Sequence, residues 1–452
     1  MKKLVLTIAL LSSVILYGQE SDSTQTPSGT DGDENRKVEL SGYVRGSFQG
    51  FSKKYDFSNI FAQFALKGKY AGKHTLLNAE VWFLGGQHFG EYYNQMHIIE
   101  AYAGYVSDKF DFLAGNQIVK WGRTDGFSPT DNICPRDYFF LTSDTDDQLR
   151  SNFMARAKWR ISPSVDFEFI AIPFYKPSSY RFNLFDMGEY ASFGEETLPE
   201  RKFSNATLAG KINFELPGAG FSLSYFRGFD PYHGFDIKSI GLNMNSPEPA
   251  PEILYTSSSY MKQTIGADVA IPAGSWIFRA EAGYNITKGE EVFIYTPASS
   301  LSWVVAAEKD FGGYLTIFQY IGKFTPDFRE IHEPVMGNPS DPTQMLIYMQ
   351  DMVWYQSRLF NRRIFNQQKR GNHAFSLTAR KTFAYETITA ELTGYYNLTS
   401  REYLIRPKLS WKASDNLTLS AGGHYMAGPK ESIFDYSGPV MNGIFLELKA
   451  SF

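Results

Sequence analysis

Apolar and polar side chains alternate, position by position, in short segments along most of this chain. In residues 401–412, for example, Ile405, Leu409 and Trp411 fall on one face of an extended strand and Lys408 falls on the other. Such alternation is typical of a β-strand that has an apolar environment on one side and water on the other. The pattern recurs in eighteen segments, at residues 37–51, 60–70, 73–84, 97–106, 109–119, 150–161, 164–173, 205–214, 218–228, 260–271, 274–287, 299–310, 313–324, 370–383, 386–398, 401–412, 417–427 and 442–452.

The connections between these segments indicate how the strands pair. Short connections, such as Ala71-Gly72 and Ser162-Pro163, alternate with mostly longer ones. Transmembrane β-barrels have this rhythm, with short periplasmic turns and long extracellular loops. A soluble β-sandwich shares the alternation within strands but does not need so many of them. We therefore predict an all-β fold, a single transmembrane antiparallel β-barrel of about 18 strands (16–18) over residues 37–452.

Composition excludes other classes of protein. Aromatic residues make up 16% of the chain and its mean hydropathy is -0.29. After the N-terminal segment no apolar run approaches the length of a transmembrane helix, which argues against a helical membrane protein. The formal net charge of -4 argues against a nucleic-acid partner.

The N-terminal residues predict export. Lys2 and Lys3 precede an apolar run and Gly18 offers a small residue for cleavage, so residues 1–18 are predicted to be a signal peptide. Residues 19–36 are polar and acidic, which predicts a disordered tether.

The C-terminal strand resembles the targeting strand of bacterial outer-membrane proteins. Ile444, Leu446 and Leu448 share one face with the terminal Phe452, while Glu447 faces the other way. The resemblance implies that this strand closes the barrel and contacts the barrel-assembly machinery. Together with the signal peptide, it predicts the outer membrane of a Gram-negative cell as the location.

Barrel size decides whether a channel exists, because 16 to 18 strands enclose a water-filled lumen. The alternation turns nearly equal numbers of cations and anions inward, with Asp268, Glu281 and Glu447 among the acids, so we expect no steep charge selectivity. The basic strand 150–161 and the acidic strand 164–173 are predicted to set a transverse field or, as we favour, to form salt bridges in the wall. The predicted lumen-lining residues are Arg156, Lys158, Arg160, Asp166, Glu168, Arg406 and Lys408.

The connection at residues 120–149 is too long for a turn and is rich in Gly, Pro and aromatic residues, which predicts an ordered loop. Its charges suit a pore constriction and its aromatic rings suit stacking on sugars or wedging against the wall. The alternative is a well-packed external loop. The predicted constriction residues are Lys120, Trp121, Arg123, Asp125, Asp131, Arg136 and Asp137, with aromatic residues Phe127, Tyr138, Phe139 and Phe140 nearby.

Two further loop features have competing interpretations. Asp144, Asp146 and Asp147 are predicted either to bind calcium or, as we favour, to be solvated charge. Asp341-Pro342 predicts the start of a short helix in or over the barrel mouth. The cations after it, which suit lipopolysaccharide, an acidic solute or simply a helix C-terminus, are Arg358, Arg362, Arg363, Lys369 and Arg370.

The segment Gly115-x-Gln117-x-x-x-Trp121-Gly122-Arg123, followed by Asp125, Phe127, Pro129 and Asp131 and then Pro135-Arg136-Asp137, resembles large porin-like barrels of the alginate-export type. The resemblance implies diffusion or export across the outer membrane. The chain lacks the arginine ladder that suits a polyanion, so alginate itself is not expected.

An enzyme is not expected, because the seven histidines are scattered without nucleophile or metal-ligand spacing. A plugged receptor is not expected either, since residues 20–36 are too short for a plug. The sequence predicts a passive channel for small to medium polar solutes, without cofactor or metal. The alternative is a non-conducting barrel whose surface loops bind a glycan or a protein. Predicted partners are outer-membrane lipid, lipopolysaccharide and a small-molecule solute.

Overall fold

A computed structural model describes residues 37–186, 191–243 and 250–452. The predicted signal peptide (residues 1–18) and tether (residues 19–36) lie outside the described residues. The described strands are β1 (Lys37–Gly50), β2 (Phe57–Ala71), β3 (Thr75–His88), β4 (Glu91–Val106), β5 (Phe110–Gln117), β6 (Asn152–Ser162), β7 (Val165–Ile172), β8 (Ala191–Phe193), β9 (Thr207–Leu216), β10 (Ala219–Phe229), β11 (Gly234–Asn243), β12 (Ala250–Ser258), β13 (Met261–Ala273), β14 (Trp276–Thr287), β15 (Ser300–Asp310), β16 (Tyr314–Phe324), β17 (Gly371–Phe383), β18 (Ile388–Asn397), β19 (Glu402–Ser414), β20 (Leu417–Ala427) and β21 (Gly443–Ser451).

Eighteen of these strands form one closed antiparallel barrel, which confirms the predicted fold. Each barrel strand pairs with the next one along the chain, and β21 pairs with β1 to close the circle. The closing register places Tyr43 opposite Ser451 and Arg45 opposite Lys449. Closure is required because hydrocarbon offers no partner for an unpaired backbone N–H or C=O group.

The two faces of the wall differ as the alternation predicts. On β5 and β6, the outward side chains Phe110, Phe112 and Trp159 are about half exposed. On the inward face, Lys158 lies 3.4 Å from Asp166 and Arg160 lies 2.5 Å from Asp111. The inward charges of neighbouring strands therefore neutralise each other.

Short turns join the strands at one end of the barrel, where the described chain also begins and ends, and we assign this end to the periplasm. The other end carries the long loops, with structure that the sequence pattern did not predict. Strands β8, β11 and β12 form a separate three-stranded sheet there. A short helix, α2 (Ile433–Met441), also lies in these loops.

The helix predicted after Asp341 is present and longer than expected. Helix α1 (Pro342–Ile364) has 23 residues, and the Asp341 carboxylate accepts a hydrogen bond from the backbone N–H of Thr343. The last turn carries Arg362 and Arg363, where cations favour the helix dipole. Arg363 also lies 3.0 Å from Glu431, beside α2.

An aromatic core fills the space between the extracellular loops. Phe182, Phe235, Tyr255 and Phe360 are nearly inaccessible to solvent and pack together. The three-stranded extracellular sheet and α1 both contribute to this core. The loops therefore form one packed layer over the barrel mouth.

Among the described residues, no helix is both long enough and apolar enough to cross a membrane.

The assignment of faces predicts the effect of a charge on the outer wall. Leu409 points outward from β19 and is 51% exposed. We expect Leu409→Arg to destabilise the barrel by about 2–4 kcal/mol in lipid bilayers, because an arginine near the bilayer centre is poorly solvated. Urea unfolding in lipid vesicles measures this change. The neighbouring inward substitution Lys408→Gln is the control, and equal destabilisation by both variants would contradict the assignment.

Candidate pore constriction

The connection between β5 and β6, residues 118–151, turns into the barrel and is called the inner loop below. Its side chains and backbone contact inward-facing residues of strands on opposite sides of the wall. One part of the loop contacts β7, β9, β13, β14, β16 and β18. A later part contacts β1, β19 and β21. The inner loop therefore crosses the lumen.

Glu281, an inward residue of β14, is the most heavily hydrogen-bonded anchor of the inner loop. Its carboxylate accepts hydrogen bonds from the backbone N–H groups of Arg123 and Thr124. It also accepts bonds from the hydroxyl groups of Ser128 at 2.7 Å and Thr130 at 3.2 Å. The side chain is 2% exposed. Such a buried carboxylate is stable only when several donors replace water, and here the loop supplies them.

Gly122 permits this close approach. Its φ angle is +101°, and a Cβ atom at this position would lie 2.3 Å from the Ser128 hydroxyl and 2.6 Å from the Glu281 carboxylate. A side chain would meet both a strained backbone conformation and the anchoring carboxylate.

Arg123 connects the loop to a second part of the wall. Its Nε donates to Asp268 on β13 at 2.6 Å, and its terminal amino group donates to Glu215 on β9 at 2.5 Å. Asp268 also receives a hydrogen bond from Ser222 and lies 3.4 Å from the ammonium group of Lys211. Arg123 therefore joins two strands through the loop.

Trp121 points into the loop's own packing and not into open lumen. It is 4% exposed, and its indole N–H donates to Glu168 on β7 at 3.0 Å. It packs in a core with Ile133 and Cys134. Burial raises the pKa of the Cys134 thiol to about 12, so the thiol stays protonated at neutral pH.

Asp131 and Arg136 form an ion pair within the loop, with an N–O distance of 3.3 Å. The Asp131 carboxylate also accepts a hydrogen bond from the backbone N–H of Trp121 at 3.2 Å. Burial raises the pKa of Asp131 above its ordinary value, against the opposing effects of that hydrogen bond and of the Arg136 charge.

The tip of the loop reaches the far wall. Gln319 on β16 donates to the backbone carbonyl of Asp125 at 2.8 Å, and Arg279 on β14 lies 3.3 Å from the Asp125 carboxylate. Phe127 stacks on Tyr395 of β18, with ring centroids 5.3 Å apart. Phe127 thus lies against the wall, as in the wedging interpretation.

The later part of the loop is anchored to the barrel seam. Asp147 lies 2.5 Å from the guanidinium of Arg45 on β1. The hydroxyl of Ser143 donates to Glu447 on β21 at 2.7 Å, and Arg406 on β19 donates to the Ser143 carbonyl at 2.7 Å. Charged wall residues therefore hold the loop on both sides of the lumen.

The remaining predicted charges also have partners. Lys120 lies 2.6 Å from Asp146 at the loop surface, and Asp137 lies 3.2 Å from Arg150. A short 3₁₀ helix spans Thr145–Gln148. The carboxylate of Asp144 caps it by accepting a hydrogen bond from the backbone N–H of Asp146. Within residues 37–186, 191–243 and 250–452, no group of three or more His, Cys, Asp or Glu side chains is placed to hold a metal ion.

The other aromatic residues of the loop contact protein surfaces. Phe140 packs on Phe61 and Trp82, with ring centroids 5.5 and 5.8 Å away. Tyr138 stacks on Tyr180 at 5.0 Å. These contacts join the inner loop to the wall below and to the extracellular loops above.

A cavity of about 300 Å³ remains between the inner loop and strands β15 to β18. The loop contributes Phe127, Asp131, Arg136 and Tyr138 to its lining. The wall and the loop after α1 contribute Lys323, Asn372, Tyr395 and Asn366. Of the predicted constriction residues, Asp131 and Arg136 therefore line this cavity, whereas the others anchor or pack the loop.

The sequence pattern identified Glu281, Asp268 and Glu447 as inward-facing acids but not as partners of the loop. Lys323 was not singled out at all. Its inward position follows from the alternation in β16, but its nearness to residues 126–138 depends on how the loop folds.

A closed barrel of eighteen antiparallel strands, with short turns at one end and long loops at the other, is the fold of an outer-membrane porin. Among solved structures, the chain is similar to OccAB4 of Acinetobacter baumannii, with a TM-score of 0.54 and 9% sequence identity over 92% of this chain and 99% of that one. It is also similar to Pseudomonas aeruginosa OccK3 (TM-score 0.51, 9% identity, 92% and 95% covered). A third is P. aeruginosa OpdK with vanillate (TM-score 0.53, 7% identity, 92% and 98% covered). No family model and no curated sequence matches the chain.

The anchoring role of Glu281 predicts the behaviour of a variant. Glu281→Gln removes the negative charge and places an amide N–H group against donors of the loop. Each hydrogen bond to a charged group contributes about 1.5–3 kcal/mol, so the variant loses part of this binding energy between loop and wall. We expect a barrel of normal strand content with a looser inner loop. Single-channel recordings in planar bilayers are expected to show larger and noisier current steps.

Asp166→Asn is the matched control, because among the described residues Asp166 pairs with Lys158 and Asn213 of the wall and with no residue of the inner loop. Unchanged current in Glu281→Gln, with folding verified by circular dichroism, would contradict an anchoring role.

Proposed function

We propose that this protein is a porin of the Gram-negative outer membrane that passes small polar solutes without an energy source. The observation that supports this most directly is the inner loop, which is held across the lumen by wall residues and leaves a cavity beside β15 to β18. A barrel of this size encloses a lumen wide enough for water and solutes unless loops fill it. The inner loop is proposed to be the constriction.

The cavity limits the size and chemistry of the solute. Its volume of about 300 Å³ suits a molecule of one ring and not a chain of sugars. Tyr138, Tyr395 and Phe127 supply flat faces, and Asn366 and Asn372 supply amide groups. Vanillate, present in the OpdK structure, is a single-ring solute of this kind.

Two cations, Arg136 and Lys323, line the cavity, and they differ in their ion pairs. Arg136 is neutralised by Asp131, but Lys323 forms no ion pair within the part of the chain that the structure describes. Its ammonium group donates to the carbonyl of Phe365 at 2.6 Å. We propose a modest preference for anionic solutes at this point, although the charges of the whole lumen nearly balance.

The finer resemblance to alginate-export barrels rests on the sequence of residues 115–137. It does not indicate a polyanionic solute, because the inward arginines are engaged with carboxylates of the wall or loop. Arg45, Arg156 and Arg279 are examples. We propose a transport role and no catalytic one.

The alternative of a non-conducting barrel with binding loops is favoured by one observation. The extracellular loops share an aromatic core, and the first half of α1 leaves Leu346 and Ile347 63% and 54% exposed. Conductance distinguishes the two functions.

The test is single-channel recording of the refolded full chain beside a variant lacking residues 122–147. We expect stable steps in the intact protein and larger, noisier steps in the variant, since the deletion removes the constriction and its anchors. Silence in the intact protein with steps in the variant would indicate a channel that the loop closes. Silence in both, with the barrel verified by circular dichroism, would overturn the porin proposal.

Lys323 provides a separate prediction on selectivity. A unit charge within a few ångströms of a hydrated ion is worth about 1 kcal/mol, or about fivefold in permeability. We expect Lys323→Gln to lower the anion-to-cation permeability ratio by about that factor, measured as a reversal potential under a salt gradient. Lys69→Gln, which removes an inward lysine near the periplasmic end, is the control. An equal shift in both variants would contradict a selective role for the cavity.

A further inference from the structure

A groove of about 610 Å³ lies on the outer face of the barrel and takes no part in the channel. Its floor consists of outward residues of β6, β7 and β9, including Ala155, Ala171 and Leu208. Phe153 borders it on the barrel, and Phe203, in the loop before β9, borders it above and is 89% exposed. The lining is almost wholly apolar, as a site for hydrocarbon requires.

The floor of the groove follows one row of the sheet. Ala155 pairs with Ala171, Ala171 pairs with Leu208, and Leu208 pairs with Arg227 on β10. The next row toward the periplasm alternates small and bulky residues, Ala157, Phe169, Gly210 and Tyr225, and its two rings are 40% and 42% exposed. Two alanines side by side among aromatic residues leave a recess in the wall, and the row ends at a cation.

Arg227 is an unusual residue for an outward position. It points to the same face as Leu223 and Tyr225, and in the described parts of the chain its side chain has no carboxylate partner. It lies two residues before Phe229, the extracellular end of β10. Cations are tolerated on the outer face near the interface, where phosphate groups of lipids lie.

A second cation lies near the groove, in the loop that also contributes Phe203 to its lining. The guanidinium of Arg201 is 5.9 Å from the ring centroid of Phe174, a half-exposed residue that follows β7. The adjacent Lys202 pairs with Glu200, so it adds no net charge. The groove therefore combines an apolar recess with one lining arginine, Arg227, and a second arginine, Arg201, lies nearby over Phe174.

We propose that this groove binds lipopolysaccharide, with one acyl chain of lipid A in the recess and a lipid A phosphate on Arg227. Arg227 lies near the extracellular end of β10, on the side of the outer leaflet, and lipopolysaccharide is the phosphorylated lipid of that leaflet. Guanidinium groups pair with phosphate through two parallel hydrogen bonds. The inference uses the outer-membrane location in the proposed function but does not depend on conduction.

The test uses full-length protein refolded in detergent without lipid, titrated with purified lipid A and followed by native mass spectrometry. We expect one lipid A molecule to bind more tightly than any others. Arg227→Gln is expected to weaken that binding by about tenfold, because a charged hydrogen bond is lost. The double variant Ala155→Leu/Ala171→Leu is expected to abolish it by filling the recess.

Matched controls lie elsewhere on the outer wall. The double variant Ala280→Leu/Ala307→Leu fills two outward alanine positions of β14 and β15, and Lys309→Gln removes an outward cation that contacts Trp276 at the other end of the barrel. Both controls are expected to bind lipid A like the unmodified protein.

The proposal is overturned if Arg227→Gln and the alanine variant bind like the controls, or if the unmodified protein holds no lipid A molecule preferentially. It is also overturned if phosphatidylglycerol, titrated in the same way, binds at the groove as tightly as lipid A. If the alanine variant does not fold, the proposal is tested by Arg227→Gln and by the comparison with phosphatidylglycerol. Channel recordings of Arg227→Gln are expected to be normal, so failure of this inference leaves the porin proposal untouched.

Discussion

The need to satisfy every backbone hydrogen bond in hydrocarbon determines most of this structure. An open sheet would leave the N–H and C=O groups of its edge strands unpaired in lipid, so the sheet must close. In this chain β21 and β1 close it, and the backbone N–H and C=O of Phe452 also pair with Gly42. Closure with eighteen strands then fixes a wide interior. Part of that interior is occupied by the inner loop and by the wall side chains that bind it.

Charged side chains can line such an interior only where water or an opposite charge stabilises them. In this wall, most inward charges form ion pairs between adjacent strands. A few acids instead bind donors of the inner loop. Glu281 and Asp268 are buried because the loop covers them, and the loop is ordered because those acids accept its donors. Neither part is stable alone in this arrangement, since removing one partner leaves the other buried and unpaired.

The barrel strands could be predicted from the sequence because lipid on one side and water on the other impose a period of two. The prediction weakens wherever that contrast is absent. Strand β4 begins at Glu91 and not near residue 97, because Tyr92, Gln95 and Met96 are exposed in a part of the strand without the alternation. Helix α2 was missed because Gly438 and Pro439 lie within it, and both residues ordinarily argue against a helix.

The candidate site was only partly predictable for a different reason. The sequence identified the inner loop and most of its charged residues, and it placed Glu281 on the inward face. It did not pair them, because Arg123 and Glu281 are 158 residues apart and no local pattern links them. Lys323 was missed because one inward lysine near a strand end is not distinctive until the loop is seen beside it.

The inner loop is held at two heights in the barrel, and both heights combine apolar packing with directional contacts. Toward the periplasm, its contacts are hydrogen bonds and ion pairs, which depend steeply on distance and angle, together with the apolar core around Trp121 and Ile133. Toward the cell exterior, Phe139 and Leu141 belong to the same apolar core as Phe360 of α1, and apolar contacts have no preferred direction. The cavity touches both regions, through Asp131 below and Tyr138 above. Hydrogen bonds also hold the extracellular side, because His88 contacts the Phe139 carbonyl at 2.9 Å and the Tyr138 N–H donates to the Ser179 carbonyl at 3.2 Å. Directional contacts therefore hold the inner loop at both heights, and a shift of its apolar core on the extracellular side would have to replace these hydrogen bonds as well.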